Sequence, residues 1–283
     1  MTSVTSIAVS QAYCRDVARK RAKNFYYSFV LLSPEKKNAM CAMYAFMRYC
    51  DDLSDEPGAT RTAMDRWREA LTEALAGRPD SSPVWPAFLD AVARYQIPHE
   101  YFYEMIEGVA SDLSPRVFHA FEELYQYCYR VASVVGLTTI HVFGFDSPAA
   151  LPLAEKCGIA FQLTNILRDI REDAGLGRVY LPSEDLERFG VTPEELTQSA
   201  RCDGFDRLME FEIARARAYY EESAPLIGLV HKDSRGSLRA LIAIYSGLLE
   251  RIAESPSDVL RRRISLPAVE KTWIVLRSAI GIQ

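Results

Sequence analysis

The sequence is poor in what several large protein classes require. Its 33 lysines and arginines against 38 aspartates and glutamates leave a net charge of −5, and no basic run exceeds Arg261-Arg262-Arg263. Without a broad cationic footprint, no nucleic-acid partner is expected. There are only four histidines (His99, His119, His141, His231), none at zinc-ligand spacing, and the six cysteines include no C-x-x-C pair. Zinc chemistry of either common type is thereby excluded. No uncharged apolar run reaches the roughly 18 residues that span a membrane. Met1-Thr2-Ser3-Val4 also lacks the basic, apolar start of a secretory signal. The expectation is a cytoplasmic protein with reduced cysteines, with peripheral contact at the inner face of a membrane left open. Glycine-rich phosphate loops, strands alternating around Asn-Gly or Asp-Gly turns, and repeats of solenoid period are all missing.

What is present is helical patterning. Of the 283 residues, 49% are hydrophobic and 25% charged, enough apolar material for a substantial core. Most of the prolines fall between apolar-periodic segments, as helix punctuation does. The periodicity predicts helices at 12–31, 35–54, 60–76, 84–96, 99–110, 120–143, 149–174, 204–223, 234–254 and 266–279, with short helices filling 184–199. The longest irregular stretches, 77–83 and 175–183, are too short for interdomain linkers. An all-α fold, one compact helical bundle over residues 1–283 with its core at about 12–280, is the expected architecture.

Two segments carry the chemistry. In Arg48-Tyr49-Cys50-Asp51-Asp52-Leu53-Ser54-Asp55-Glu56, helical geometry stacks Asp51 and Asp55 one turn apart, with Tyr44 and Arg48 extending the row. In Gln162-Leu163-Thr164-Asn165-Ile166-Leu167-Arg168-Asp169-Ile170-Arg171-Glu172-Asp173, it stacks Asn165, Asp169 and Asp173. Like charges at this spacing repel, and more strongly when buried. One such pair alone is usually a solvated face balanced by arginines. Two pairs, each on a helix whose other faces are apolar, favour a cavity lined by acids over a solvated stripe. Magnesium would neutralise them, since it takes one or two carboxylates per site and fills its remaining positions with water and phosphate oxygens. Arg48 and Arg168 sit where they could clamp that phosphate. The aromatics Phe25, Tyr26, Tyr27, Phe29, Tyr44, Phe46 and Tyr49 suit ordinary core packing, or the wall of a tunnel for an apolar tail that reacts through a carbocation.

These residues, with Tyr27-Ser28-Phe29-Val30-Leu31-Leu32 before them and Gly177-Arg178-Val179-Tyr180-Leu181-Pro182 after, resemble the squalene/phytoene synthase family over residues 12–280. The resemblance implies a single-domain class I isoprenoid synthase bundle with a central cavity. Within the family, Asn24-Phe25-Tyr26-Tyr27-Ser28-Phe29 and the stretch from Phe121 to Ser133 with Gly136 resemble the bacterial branch of the squalene and hopanoid route that makes presqualene diphosphate. The implied reaction is a magnesium-dependent, head-to-head condensation of two farnesyl diphosphates, in which the allylic cation from one is attacked by the C2–C3 double bond of the other. Manganese is the alternative metal, and NADPH is not expected.

By the same resemblance Asp51, Asp55, Asp169 and Asp173 are metal ligands assisted by Asn165, and Lys23, Tyr44, Arg48, Arg168, Tyr245, Arg263 and Lys271 contact diphosphate. Phe25, Phe29, Val131, Ala132, Gly136 and Gln162 line the chain pocket. Expected partners are the isoprenoid diphosphate and enzymes of the downstream squalene and hopanoid route. Phytoene synthase and NADPH-dependent squalene synthase are alternatives on the same fold. Head-to-tail elongation is disfavoured because Ile170 follows Asp169, and terpene cyclisation because Ile166 follows Asn165. A non-catalytic helical assembly or lipid-binding role is disfavoured because all four paired aspartates are present.

Overall fold

The computed structural model describes residues 4–22, 24–55, 59–114, 116–198 and 204–281, and for 4–6, 55 and 197 the backbone alone. In chain order the α-helices are α1 (Val4–Arg21), α2 (Phe25–Phe29), α3 (Pro34–Asp55), α4 (Arg61–Leu75), α5 (Trp85–Arg94), α6 (Glu100–Ser111), α7 (Phe121–Cys128), α8 (Val134–Phe143), α9 (Ala150–Gly175), α10 (Ser183–Phe189), α11 (Pro193–Thr197), α12 (Phe205–Ser223), α13 (Leu226–Leu229), α14 (Arg235–Glu254) and α15 (Ala268–Ile280). A π-helical turn, Tyr129–Ser133, joins α7 to α8, and a 3₁₀ turn, Pro256–Leu260, precedes α15. The described residues hold no strand, only an isolated antiparallel bridge between Phe145 and Val230. The all-α expectation therefore holds, and one apolar cluster runs through the bundle from Cys14 on α1 to Leu266 ahead of α15.

Two expected helices are broken. The segment read as 12–31 is α1 and α2, because each packs on different partners. α1 lies on α3 and α5, whereas α2 lies on α14 and α15, and the chain must turn between them. The segment read as 120–143 is interrupted by the π turn, which swings Val131 and Ala132 toward the interior cavity.

Two helices orient the carboxylate motifs. One face of α3 is locked by an aromatic stack in which Phe46 packs on Phe88 with centroids 4.4 Å apart and on Trp67 at 5.3 Å. That contact fixes the rotation of α3 and turns Tyr44, Met47 and Asp51 inward. The long α9 passes through the middle of the bundle, against α8, α12, α14 and the π turn, burying Ala154, Cys157, Ile159, Leu163 and Ile166. Cys14, Cys41, Cys50, Cys128 and Cys157 are buried free thiols. Burial pushes the thiol of Cys41 up to about 11 and those of Cys14 and Cys157 up to about 12.

Candidate active site

Between α3 and α9 lies a cavity of about 320 Å³. Its walls are mostly apolar, built from α2, α3, α6, the π turn, α8, α9 and α14, in the manner of a pocket for a hydrophobic ligand. Of the residues expected to line a chain pocket, Phe25, Phe29, Val131, Ala132, Gly136 and Gln162 all border it, as do Tyr44 and Tyr245. Tyr245 is buried, stacked on Phe161 at 4.4 Å and edge-on to Phe25 at 5.6 Å. Burial pushes the Tyr44 hydroxyl up to about 12, so this phenol stays protonated at neutral pH.

The polar groups gather on one side of the cavity. Asp51 of α3 and Asn165 of α9 border the same space, and the Asn165 Oδ1 is buried without a hydrogen-bond partner. One turn further along α9, Asp169 accepts from Arg168 Nε at 2.7 Å and meets Arg263 Nε at 3.1 Å, while Arg263 Nη1 reaches Glu172 at 3.2 Å. Asp173 lies in a small adjoining hollow with Arg178 and Tyr180. Burial, reinforced by the neighbouring Asp169 charge, pushes its carboxyl up to about 7. With the unpartnered Asn165 Oδ1, the α9 carboxylates Asp169 and Asp173 offer oxygen donors of the kind a hard cation takes.

Other expected residues are placed less directly. Arg48 is paired with Asp52, one turn on, and the Asp51 charge also acts on it; its Nε is buried and unpartnered. Asp52 also takes Arg21 at 2.9 Å. Arg168 is folded back onto Asp169. The Lys271 ammonium stands 5.7 Å from the centre of the Tyr27 ring. Lys23 lies outside the described residues, as does the side chain of Asp55. Among the described residues no three His, Cys, Asp or Glu side chains converge tightly enough to hold an ion unaided.

Sequence reasoning missed Asp112, just past α6. It borders the cavity and accepts from Tyr127 Oη at 2.9 Å and Tyr180 Oη at 3.1 Å, and Arg178 donates to its backbone carbonyl at 3.2 Å. The Tyr127 and Tyr180 rings stack with centroids 5.1 Å apart. Through this cluster the chain following α9 is fastened to α6 and α7 beside Asp173. Nothing in the spacing of Ser111-Asp112-Leu113 announces such a role, because its partners lie 15 and 68 residues away.

A helical bundle with this cavity is the class I isoprenoid synthase fold. A family model described as squalene/phytoene synthase matches residues 18–270, and the chain belongs to that family, prenyltransferases that condense prenyl diphosphates head to head. It is 37% identical to a 15-cis-phytoene synthase of Synechocystis over 93% of this chain and 83% of that one. It is also 37% identical to the 15-cis-phytoene synthase of Synechococcus elongatus, over 94% and 90%. Among solved structures, a dehydrosqualene synthase bound to a ligand superposes with a TM-score of 0.87 at 30% identity, covering 95% of each chain. The squalene synthase HpnC of Alicyclobacillus acidocaldarius gives 0.82 at 28% identity, covering 89% of this chain and 96% of that one.

Proposed function

We propose that this protein joins two farnesyl diphosphates head to head to give presqualene diphosphate and inorganic diphosphate. The observation that carries the reading is a cavity with mostly apolar walls that is bordered by both Asp51 of α3 and Asn165 of α9. The dehydrosqualene and squalene synthases with which the fold superposes support the shorter chain, and so do the letters of 24–29 and 121–136.

In this reading Asp51, Asp55, Asn165, Asp169 and Asp173 hold magnesium, or manganese in its place. The orphaned Asn165 Oδ1, in row with Asp169 and Asp173 on α9, fits such an ion. When bound with substrate, the metal would supply Lewis-acid stabilisation of the departing diphosphate. Arg48, through its unpartnered Nε, and Arg168, Arg263, Lys23, Lys271, Tyr44 and Tyr245 would grip the phosphate oxygens. The C1–O bond of one farnesyl diphosphate breaks. Two carbon–carbon bonds then form between that carbon and C2 and C3 of the second molecule, a proton leaves, and a cyclopropane remains. Phe25 and Phe29, with Val131, Ala132 and Gly136, keep water from the cation, which would otherwise be quenched to an alcohol. No side-chain nucleophile is needed, and the product leaves without reduction by NADPH. Its use falls to enzymes of the downstream squalene and hopanoid route.

Phytoene formation from geranylgeranyl diphosphate is the second reading, favoured by the 37% identity to phytoene synthases. Incubation with magnesium and either diphosphate, with and without NADPH, separates the two. Presqualene diphosphate from farnesyl diphosphate, unchanged by NADPH, is the expected product. Phytoene from the longer substrate, or squalene when NADPH is added, overturns it.

A further inference from the structure

Two arginines share the carboxylate of Asp169. Arg168, its neighbour in sequence, donates from Nε to Oδ1 at 2.7 Å and from Nη2 to Oδ2. Arg263, which reaches it from the segment ahead of α15, donates from Nε to Oδ1 at 3.1 Å and from Nη2 to Oδ2 at 3.2 Å. A carboxylate offers about four lone-pair directions, and these contacts take them all. A cation seated on Asp169 therefore has to displace a guanidinium.

Their surroundings decide which one goes. The Arg168 side chain is only 12% exposed, so parting it from Asp169 would leave a buried charge without its partner. Arg263 is 51% exposed, its contacts are longer, and its third nitrogen, Nη1, rests on Glu172 at 3.2 Å, itself half in solvent. Ion pairs this exposed are weakly held and exchange readily with water. The backbone beneath Arg263 does not have to follow, because Ile264 and Leu266 just after it are buried in the core and Arg171 donates to the Arg261 carbonyl just before it. The movement is the swing of one side chain from a fixed root. Burial raises the hydroxyl of Tyr245, and the charges of Arg168 and Arg263 oppose that rise, which puts Arg263 within electrostatic reach of the cavity wall.

Given the metal site proposed above, we propose that Arg263 is an exchangeable counter-ion, which holds Asp169 and Glu172 in the protein alone, yields Asp169 to a divalent cation and then closes on the diphosphate. The planar fork that fits a carboxylate also fits a phosphate. Cation and diphosphate are thereby linked. A cation arriving alone drives Arg263 into water, whereas with diphosphate present Arg263 trades one anion for another. The same arginine weakens the metal by itself and strengthens it in company, and by reciprocity it does the same for diphosphate.

The test measures two equilibria in the full-length protein, neither of which involves turnover. Manganese alone is titrated and followed by the electron paramagnetic resonance of the free ion; inorganic diphosphate is titrated at excess magnesium and followed by calorimetry. Arg263→Gln should bind manganese alone about three- to tenfold more tightly than the wild type, and diphosphate about tenfold or more weakly. Effects of opposite sign are the signature, since a variant that merely disturbed the fold would lose both. Arg263→Lys, which keeps the charge without the fork, should fall between, and Asp169→Asn added to Arg263→Gln should cancel the gain in manganese affinity. Circular dichroism should be unchanged throughout. Equal manganese affinity in the wild type and Arg263→Gln, a gain that survives Asp169→Asn, or undiminished diphosphate binding overturns the exchange and leaves the metal site standing. No manganese bound by either chain overturns the metal site and the exchange with it.

Discussion

An aspartate that binds a cation loses most of that capacity when one of its oxygens becomes an amide nitrogen, although its size hardly changes. Asp51→Asn and Asp169→Asn should therefore each lower turnover by about a hundredfold or more at saturating magnesium, with unaltered helical circular dichroism. Near wild-type turnover by both would remove the two-helix metal site. A second residue-scale prediction concerns Glu212, buried on α12 away from the cavity. It and Asp185 of α10 share the single guanidinium of Arg215, at 2.8 Å from each. Burial, with Arg215 opposing and Asp185 adding to the effect, pushes the Glu212 carboxyl up to about 8. The proton is thus held more tightly in the folded chain than in the unfolded one. Stability from this group is full below the ordinary glutamate range near pH 4.5 and is lost as pH rises to about 8. Glu212→Gln should flatten that part of the curve, so that chemical denaturation shows a smaller fall in stability between pH 5 and 8 than in the wild type. An unchanged slope would show that Arg215 keeps both carboxylates ionised.

Helix existence was readable from apolar period, because burial against a core requires that period wherever a long helix packs. The turn between Arg21 and Phe25 was not, since it answers to which helices flank α1 and α2 in space. Nor was the π turn, since Tyr129–Ser133 reads as uninterrupted helix. It owes its position to close backbone approach. A Cβ on Gly158 of α9 would stand 2.5 Å from Ser133 Cα and 2.9 Å from the Ala132 carbonyl oxygen. Gly158→Ala must push the π turn and the cavity wall away, and should destabilise the protein by roughly 2–3 kcal/mol in urea unfolding. Gly175→Ala, at the end of the same helix with nothing within 4 Å of the new methyl, should cost nothing measurable. Equal losses in the two variants would show that helix propensity outweighs crowding. The acid facing the cavity from α3 was legible for a related reason. Asp51 belongs to a one-turn pair within a single helix, whereas Asp112 is completed by partners on other elements and carries no local signature.

At the scale of the molecule, residues 48–56 and 165–173 contain seven acids and three arginines, 3 − 7 = −4, nearly the whole net charge of −5. Much of the protein's excess negative charge is therefore in the two motifs, where the proposed reaction would also bring an anionic substrate. Cation and diphosphate should consequently stabilise the fold as a pair. Magnesium with inorganic diphosphate should raise the melting temperature by several degrees, by up to the ~2.7 kcal/mol available at a hundred times the dissociation constant. Either alone should do much less. Removing metal with a chelator should abolish turnover and leave the melting temperature of the substrate-free protein nearly unchanged, because the core is built from apolar side chains and not from the acids of the two motifs. A large destabilisation by chelator would instead mark the metal as structural.

The buried thiols add a property unrelated to catalysis. Cys14 and Cys41 lie under α1 and α3 and Cys128 ends α7, all out of contact with solvent and held protonated by their surroundings. Only the ionised thiol reacts quickly with alkylating or disulfide reagents, so each of these positions is silent until its helix opens. The protein thus carries timers at several depths of its bundle, and the order in which they become modifiable is the order in which its helices come apart.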